Sequence, residues 1–264
     1  DLADPYSCQA LKGLEDAAGS QNIQVMVAGS GMNFNSEKEI VERMLKMGAE
    51  GFVIQSTYRF GMMAGSLEKK RRPIVYLDAK PYDYRGRCVK SNHYECVYQV
   101  ITECIGKGYE DFMMFSDDFS TSSTGFESMQ GYKDALQDAV RDGGTFYMAE
   151  GRRSGDVYEV LSQNLNLERR TLIYVADPPL YQVVYQALRR YPDYMELLKG
   201  RVGLIGFDCD GWTRMTTPPL AAIITPAYQE GVKAAEELMD ILDGKKAEGD
   251  VVFKNIVKYR ESVN

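Results

Sequence analysis

The sequence has one histidine, one tryptophan and no long apolar stretch. No segment approaches the roughly 18 consecutive apolar residues that cross a bilayer, so we expect no membrane-spanning segment and no membrane partner. The five cysteines include no CxxC pair, and with His93 as the only histidine the residue set for a zinc site is missing. We expect free, buried thiols that pack as small apolar side chains in a reducing cytoplasm.

Basic charge is scarce as well. The 264 residues carry 31 Lys and Arg against 38 Asp and Glu, which gives a formal net charge of −7. Binding to a phosphate backbone requires cations concentrated on one surface, so this segment is not expected to bind nucleic acid by itself. Hydrophobic residues at 44% and charged residues at 26% are the proportions of a globular protein, and the length allows one large domain or two smaller ones.

Short apolar runs alternate with amphipathic segments along the whole chain. This alternation predicts βαβ units with buried parallel strands. There are more such units than a single sheet readily accommodates. The fold class predicted is therefore α/β, with two doubly wound parallel-sheet lobes. The predicted strands are Ile23–Ala28, Gly51–Ile54, Pro73–Leu77, Asp111–Phe115, Leu172–Val175, Arg201–Asp208, Ala221–Ile224 and an edge strand within Val251–Tyr259.

Polar side chains follow several of these strands. In open parallel sheets ligands bind beyond the carboxyl ends of the strands, so these residues are the candidates for a binding site. Two carboxylates, Asp177 and Asp208, fall at such ends. Asp208 and Asp210 together have the chemistry of a Mg²⁺ site, and they have equally the chemistry of acceptors for ligand hydroxyls.

Motifs for catalysis or for cofactor binding are missing. The turn Gly29-Ser30-Gly31 has neither the lysine of a phosphate-binding loop nor a complete GxGxxG, and no GxSxG nucleophile elbow occurs. His93 has no visible partner that would make it a general base. We therefore expect no cofactor, no catalytic residues and no metal.

Several short motifs follow one another along the sequence. The strongest are Gly203-Leu204-Ile205-Gly206-Phe207-Asp208, then Pro218-Pro219-Leu220 and the pairs Ile223 with Pro226 and Gly231 with Ala234. Others are Asp4-Pro5-Tyr6, Gly51-Phe52-Val53-Ile54, Gly131-Tyr132 and the closing Tyr259-Arg260-Glu261-Ser262. Taken in this order, these segments resemble the effector-binding core of the lactose/galactose-repressor (LacI/GalR) family of bacterial transcription regulators. The resemblance covers essentially the whole sequence.

The resemblance implies a fold like the type I periplasmic sugar-binding proteins, with three crossovers near Gly108, Thr225 and Gly244–Asp250. The expected lobes are residues 1–107 with 225–246, and residues 108–224 with 247–264. The family's DNA-binding headpiece is not in this sequence, so operator DNA is expected to be bound through an N-terminal helix-turn-helix upstream. The resemblance also implies a homodimer and a small polar effector, a sugar or sugar derivative, in the cleft between the lobes.

The resemblance also marks positions for effector contacts. Asp208 matches the family's acceptor of sugar hydroxyls, and Asp177 matches the Asp of its Asn-Asp pair, with Ala176 in place of the Asn. Asn92 stands where the family has Asp, and Ser128 stands where it has an arginine that binds sugar oxygens, which argues against an ordinary hexose. The expected effector-binding residues are Asp4, Tyr6, Ser7, Asn92, Phe126, Ser128, Asp177, Asp208 and Trp212, although for Trp212 packing at a surface or interface is an alternative.

Two other functions fit the same pattern. An exported sugar-binding protein that feeds a transporter shares the fold, but the unpaired cysteines and the closing Arg-Glu-Ser sequence favour the regulator. An enzyme on a two-lobed α/β scaffold would need a nucleophile and a base, and the sequence has no such pair. The favoured function is the effector-binding and dimerisation core of a cytoplasmic transcription regulator.

Overall fold

The computed structural model describes residues 4–31, 33–57, 67, 72–81, 86–117, 122–139, 145–148, 154–208, 211–246 and 249–264. The chain divides into two compact units. The first takes in Asp1–Asn92, Ser120–Thr124 and Pro226–Lys254, and the second takes in His93–Phe119, Gly125–Thr225 and Asn255–Asn264. Each unit has its own sheet, so the predicted pair of α/β lobes is confirmed.

The longer helices and all described strands follow in chain order. The helices are α1 (Pro5–Ser20), α2 (Phe34–Lys46), α3 (His93–Gly106), α4 (Ser123–Asp138), α5 (Ser154–Asn164), α6 (Pro178–Leu188) and α7 (Ala227–Leu242). The strands are β1 (Phe52–Ile54), β2 (Ile74–Leu77), β3 (Arg87–Ser91), β4 (Asp111–Ser116), β5 (Thr145–Met148), β6 (Thr171–Val175), β7 (Val202–Asp208), β8 (Ala221–Ile224), β9 (Asp250–Phe253) and β10 (Ile256–Lys258). Short helical turns also occur at Tyr194–Glu196, Leu197–Arg201 and Thr213–Met215.

The first unit contains a four-stranded parallel sheet in the order β1-β2-β3-β9. All four residues of β2 are buried, as expected for a parallel strand covered on both faces. Val41 of α2 packs in one core cluster with Phe52, Tyr76 and Cys88 from the strands. Helix α7 packs against β2 and β3, and it also packs along α1.

The second unit contains a six-stranded sheet in the order β10-β8-β7-β6-β4-β5. Every pairing is parallel except that of β10 with β8. Alternate residues of the central strands belong to different cores: Met114 and Tyr174 pack with α3 and α4, whereas Met113 and Ile173 pack with α5 and α6. This alternation follows from the two-residue period of a strand and gives the sheet two buried faces.

The strand predicted at Ile23–Ala28 is wrong. These residues form no strand, and the side chains of Ile23, Met26 and Val27 are 42%, 38% and 43% exposed. A strand needs a neighbouring strand to satisfy its backbone groups, and this segment has none among the described residues. Strand β1 lies at the edge of the first sheet, and β2 is its one neighbouring strand among the described residues.

Strand β3 is present although the sequence pattern did not indicate it. Charged residues at Arg87 and Lys90 interrupt its apolar character. The Arg87 guanidinium lies 2.7 Å from the Glu237 carboxylate of α7, and that ion pair lets a charged residue begin an inner strand. The tail, predicted as one edge strand, forms two: β9 in the first sheet and β10 in the second.

The unit boundaries differ from the lobes predicted from the resemblance. Residues 93–107 group with the second unit, because Cys96, Val100 and Cys104 of α3 are buried in its core. Residues 247–254 group with the first unit, because β9 pairs with β3. Apart from residues 120–124, the chain passes between the units after Asn92, after Thr225 and after Lys254. The second of these points agrees with the predicted crossover.

Three of the cysteines, Cys88, Cys96 and Cys104, are buried free thiols as predicted, but Cys8 is exposed. Burial raises the pKa of Cys96 and of Cys104 to about 12, so both remain protonated thiols at neutral pH. Cys209 lies outside the described residues.

Helices α1 and α7 approach each other at glycines. A β-carbon on Gly13 would lie 2.0 Å from the carbonyl oxygen of Tyr228, whereas a β-carbon on Gly19, in the same helix, would meet nothing within 4 Å. Gly13→Ala is therefore expected to lower the free energy of unfolding by about 1–3 kcal/mol through overpacking. Gly19→Ala is expected to leave it unchanged or raise it by up to about 1 kcal/mol.

Urea unfolding of the two variants and the unchanged protein measures this difference directly. Because both substitutions add the same methyl group to the same helix, they differ chiefly in what that methyl group meets. Equal midpoints for the two variants would contradict the close approach of α1 to α7.

Candidate functional site

A chain of polar side chains lies at the carboxyl ends of β1 and β2. Asp4 caps the amino end of α1, where its carboxylate accepts a hydrogen bond from the Ser7 N–H at 3.1 Å. The Ser7 hydroxyl lies within hydrogen-bond distance of Asp4 Oδ2 and of Gln55 Oε1. The Gln55 amide in turn donates to Asp78 Oδ2 at 3.0 Å. Two of the predicted effector residues, Asp4 and Ser7, thus belong to one connected network.

Asp78 is held in an unusual backbone conformation. Its φ angle of 63° lies in the left-handed region, which Asp tolerates better than most residues. Its N–H donates to the carbonyl of Val89 at 2.8 Å. Such conformations are held in place by surrounding structure and cluster at functional sites, which adds support to Asp78, already a candidate because it follows a predicted strand.

A second cluster in the first unit is fully packed. The Tyr6 hydroxyl donates to Glu230 Oε2 at 2.5 Å, and the Ser91 hydroxyl donates to Glu230 Oε1. Glu230 and Ser91 have no exposed surface, and Tyr6 is 8% exposed. Burial, reinforced by the nearby charges of Asp78 and Glu230, holds the pKa of Tyr6 well above its usual value. Tyr6 therefore stays protonated and remains a hydrogen-bond donor.

Glu37 is another buried carboxylate near the end of a strand. It lies in the first turn of α2, and its oxygens accept hydrogen bonds from the Thr57 hydroxyl at 2.5 Å and from the Thr57 N–H at 3.2 Å. Burial raises the pKa of Glu37, and the two hydrogen bonds from Thr57 only partly oppose that rise. Thr57 follows β1 by three residues, so Glu37 fastens α2 to the chain beyond that strand.

In the second unit, Asp177 lies at the carboxyl ends of two adjacent strands, β4 and β6. Its Oδ2 accepts a hydrogen bond from the Asp117 N–H at 2.7 Å. Phe115 of β4 pairs with Val175 of β6, so the residues that leave these two strands are neighbours. Asp177 also directly precedes Pro178, the first residue of α6. The Asp117 N–H on one side and the start of α6 on the other thereby hold the Asp177 carboxylate at the carboxyl end of the sheet.

Asp208 ends β7, the strand next to β6. It is 5% exposed, and its Oδ2 accepts a hydrogen bond from the Thr213 hydroxyl at 2.6 Å. Arg260 donates to the same Thr213 oxygen at 3.2 Å and to the Leu220 carbonyl at 2.6 Å. Asp208 therefore has a fixed orientation within a polar network. Asp210, its possible partner for a metal ion, lies outside the described residues.

The other predicted effector residues have different surroundings. Phe126 in α4 is 43% exposed, whereas Ser128 in the same helix is 2% exposed. Asn92 follows β3 and donates its N–H to the Phe253 carbonyl. The Trp212 ring lies 5.2 Å from the ring of Tyr181 and 5.9 Å from that of Tyr185, so Trp212 packs on α6.

The structure thus collects the predicted residues into separate groups. Asp4 and Ser7 share one network, Tyr6 belongs to the Glu230 cluster, and Asp177 and Asp208 stand at adjacent strand ends of the second unit. Sequence reasoning missed Glu230 and Glu37. Each lies in the first turn of a helix, where an acidic residue ordinarily only complements the helix dipole, so the sequence gives no sign of its burial.

Among the residues that the structure describes, no helix is both long enough and apolar enough to cross a membrane. Within the same part of the chain, no group of three or more His, Cys, Asp or Glu side chains is arranged to hold a metal ion.

Known proteins with similar sequences are transcription regulators and control proteins by name. No protein-family model matches the chain. The HTH-type transcriptional regulator KdgR of Bacillus subtilis is 21% identical over 93% of this chain and 73% of its own length. Catabolite control protein A of Priestia megaterium is 22% identical over 99% of this chain and 79% of its own length.

Solved structures share the fold. A LacI-family transcriptional regulator from Enterococcus faecium with bound ribose superposes with a TM-score of 0.82 and 18% identity, covering 100% of this chain and 96% of that one. The Cra transcriptional dual regulator from Pseudomonas putida in complex with fructose 1-phosphate gives 0.84 and 18%, covering 98% and 96%. The α/β fold with two parallel-sheet lobes and the resemblance to the LacI/GalR family of regulators are thereby confirmed.

The buried carboxyl group of Glu37 gives a pH-dependent prediction. Because its pKa is raised in the folded state, the native protein holds this proton more tightly than the unfolded chain does. The contribution of Glu37 to stability is then fully present below pH 4.5 and is lost as the pH rises through the raised pKa. In Glu37→Gln the amide oxygen still accepts from Thr57, and the loss does not occur.

We therefore expect the melting temperature of Glu37→Gln relative to the unchanged protein to increase as the pH is raised from 4 to 8. Thermal unfolding across this range measures the difference. Glu39→Gln in the same helix is the control, since the Glu39 side chain is exposed. A difference that is constant with pH would contradict the assignment.

Proposed function

We propose that this chain is the effector-binding and dimerisation core of a LacI-type bacterial transcription regulator. Its effector is a small polar molecule, a sugar or a sugar derivative, and the protein acts in the cytoplasm as a homodimer. The observation that carries the proposal is the pair of carboxylates, Asp177 and Asp208, at adjacent strand ends of the second unit, in a fold shared with a ribose-bound regulator.

The geometry of the strand ends suits a ligand rich in hydroxyl groups. A carboxylate accepts hydrogen bonds from hydroxyl groups at either oxygen, and charge-assisted bonds of this kind are about twice as strong as neutral ones. Thr213 fixes Asp208 and the Asp117 N–H fixes Asp177, so neither carboxylate must be reoriented when a ligand arrives. In the first unit, the network of Asp4, Ser7, Gln55 and Asp78 offers further donors and acceptors at the ends of β1 and β2.

Regulation requires that the ligand distinguish two states of the protein. A ligand shifts an equilibrium only by the difference between its affinities for the two states, so the effector must bind the DNA-competent and the released forms unequally. We propose that operator DNA is bound through a helix-turn-helix outside this sequence. The net charge of −7 agrees with a segment that binds the effector and does not itself bind the phosphate backbone of DNA.

The relatives favour a regulator over the alternatives. KdgR is named as a transcriptional regulator and catabolite control protein A as a control protein, and neither name is that of a transport protein or an enzyme. The neighbour structures bound to ribose and to fructose 1-phosphate are regulators as well. This supports a carbohydrate effector and the absence of catalysis.

A thermal-shift panel of ribose, fructose, fructose 1-phosphate, glucosamine and nucleosides tests the proposal. We expect at least one carbohydrate to stabilise the protein, by about 2.7 kcal/mol at 100 times its Kd. Asp208→Asn and Asp177→Asn each remove a charged acceptor. Each is expected to weaken the binding of that carbohydrate by roughly tenfold or more.

Asp111→Asn is the matched control. Asp111 begins β4 and so lies at the amino end of the same sheet, where it pairs with Arg169 at 3.3 Å. Its substitution is expected to leave the shift unchanged. The proposal fails if no carbohydrate in the panel stabilises the protein, or if the shift persists undiminished in both strand-end variants.

A further inference from the structure

The Glu230 cluster, which consists of Tyr6, Ser91 and Glu230, adjoins the points at which the chain passes between the two units, apart from those at residues 120–124. Ser91, which donates to Glu230, is separated only by Asn92 from the start of the second unit. Glu230 lies four residues after Pro226, where the chain returns to the first unit, and its N–H donates to the Pro226 carbonyl at 3.0 Å. The cluster therefore includes side chains next to two of the passages.

The third passage is connected through the backbone. Ser91 pairs with Phe253 in the β3–β9 ladder, and the Asn92 N–H donates to the Phe253 carbonyl at 2.9 Å. Phe253 is followed by Lys254, the last residue of the first unit before the chain enters the second for the final time. A single set of hydrogen bonds within the first unit thus reaches all three passages.

A carboxylate with no exposed surface is costly unless hydrogen bonds replace its hydration. Glu230 receives one hydroxyl on each oxygen, from Tyr6 on one side and from Ser91 on the other. The cost of losing either donor is high, because the acceptor oxygen remains buried when the bond is gone. Movement of Tyr6 is therefore opposed by the same carboxylate that holds Ser91.

We propose that Glu230 is a positioning residue that couples Tyr6, an expected effector contact, to the three passages of the chain at Asn92, Pro226 and Phe253. The coupling to a ligand rests on the function proposed above; the coupling between Tyr6 and the passages does not. When the Tyr6 hydroxyl is withdrawn from Glu230, the carboxyl group that accepts from Ser91 is held less firmly, and the Asn92–Phe253 hydrogen bond opens more often. An effector that contacts Tyr6 would act on the passages by this route.

Amide hydrogen exchange in the ligand-free protein tests the coupling. Tyr6→Phe removes the donor while the ring stays in the core, and we expect exchange of the Asn92 amide to become at least roughly tenfold faster. Tyr228→Phe is the matched control, because the Tyr228 hydroxyl also joins α7 to a carboxylate of α1, that of Asp16, but at the exposed surface. It is expected to leave the Asn92 amide unchanged.

A double-mutant cycle separates coupling from a general loss of stability. Tyr6→Phe and Ser91→Ala are expected to have non-additive effects on Asn92 exchange when Glu230 is present, and additive effects in the Glu230→Gln background. The inference is overturned if Tyr6→Phe leaves the Asn92 amide unchanged, if it accelerates all amides of the first unit equally, or if the effects are additive with Glu230 in place. None of these outcomes depends on a ligand, so the carbohydrate panel judges the proposed function separately.

Discussion

The burial of two parallel sheets on both faces decides where this protein can place polar side chains. The residues of β2, β4 and β6 are almost entirely buried, so a charge on these strands would lose its hydration without replacement. Polar groups are admitted where the strands end and the backbone offers free N–H groups or neighbouring hydroxyls. Asp177 and Asp208 stand at such ends, and so do Asp78 and Ser91.

The same constraint explains what the sequence could predict. Continuous apolar runs identify β2, β4, β6, β7 and β8, and the carboxylates at the ends of β6 and β7 are candidates for the site. The positions of Asp177 and Asp208 therefore follow from the pattern alone, whereas their role as effector contacts stays a prediction. Family resemblance added the three crossovers and the candidates at the start of α1, which no periodicity could have distinguished from a capping sequence.

The features that escaped prediction depend on contacts distant in sequence. Strand β3 carries Arg87, which reads as a surface residue until Glu237 of α7 is seen beside it. Helix α3 was assigned to the wrong unit because its neighbours in sequence belong to the first sheet while its buried cysteines pack in the second core. Ile23–Ala28 is a short, mostly apolar run typical of a strand, but it has no neighbouring strand among the described residues, and local propensity does not replace that neighbour.

The pairing of β9 with β3 has a consequence for how the chain acquires its structure during synthesis. Cys88 and Asp250 are register partners although they stand about 160 positions apart, and between them lies most of the second unit. A ribosome delivers the chain from its amino end, so one edge of β3 stays without its partner until β9 has emerged. The intervening unit can collapse first, and its compactness shortens the effective loop that β9 must close. Completion of the first sheet therefore depends on a segment that is translated after most of the second unit.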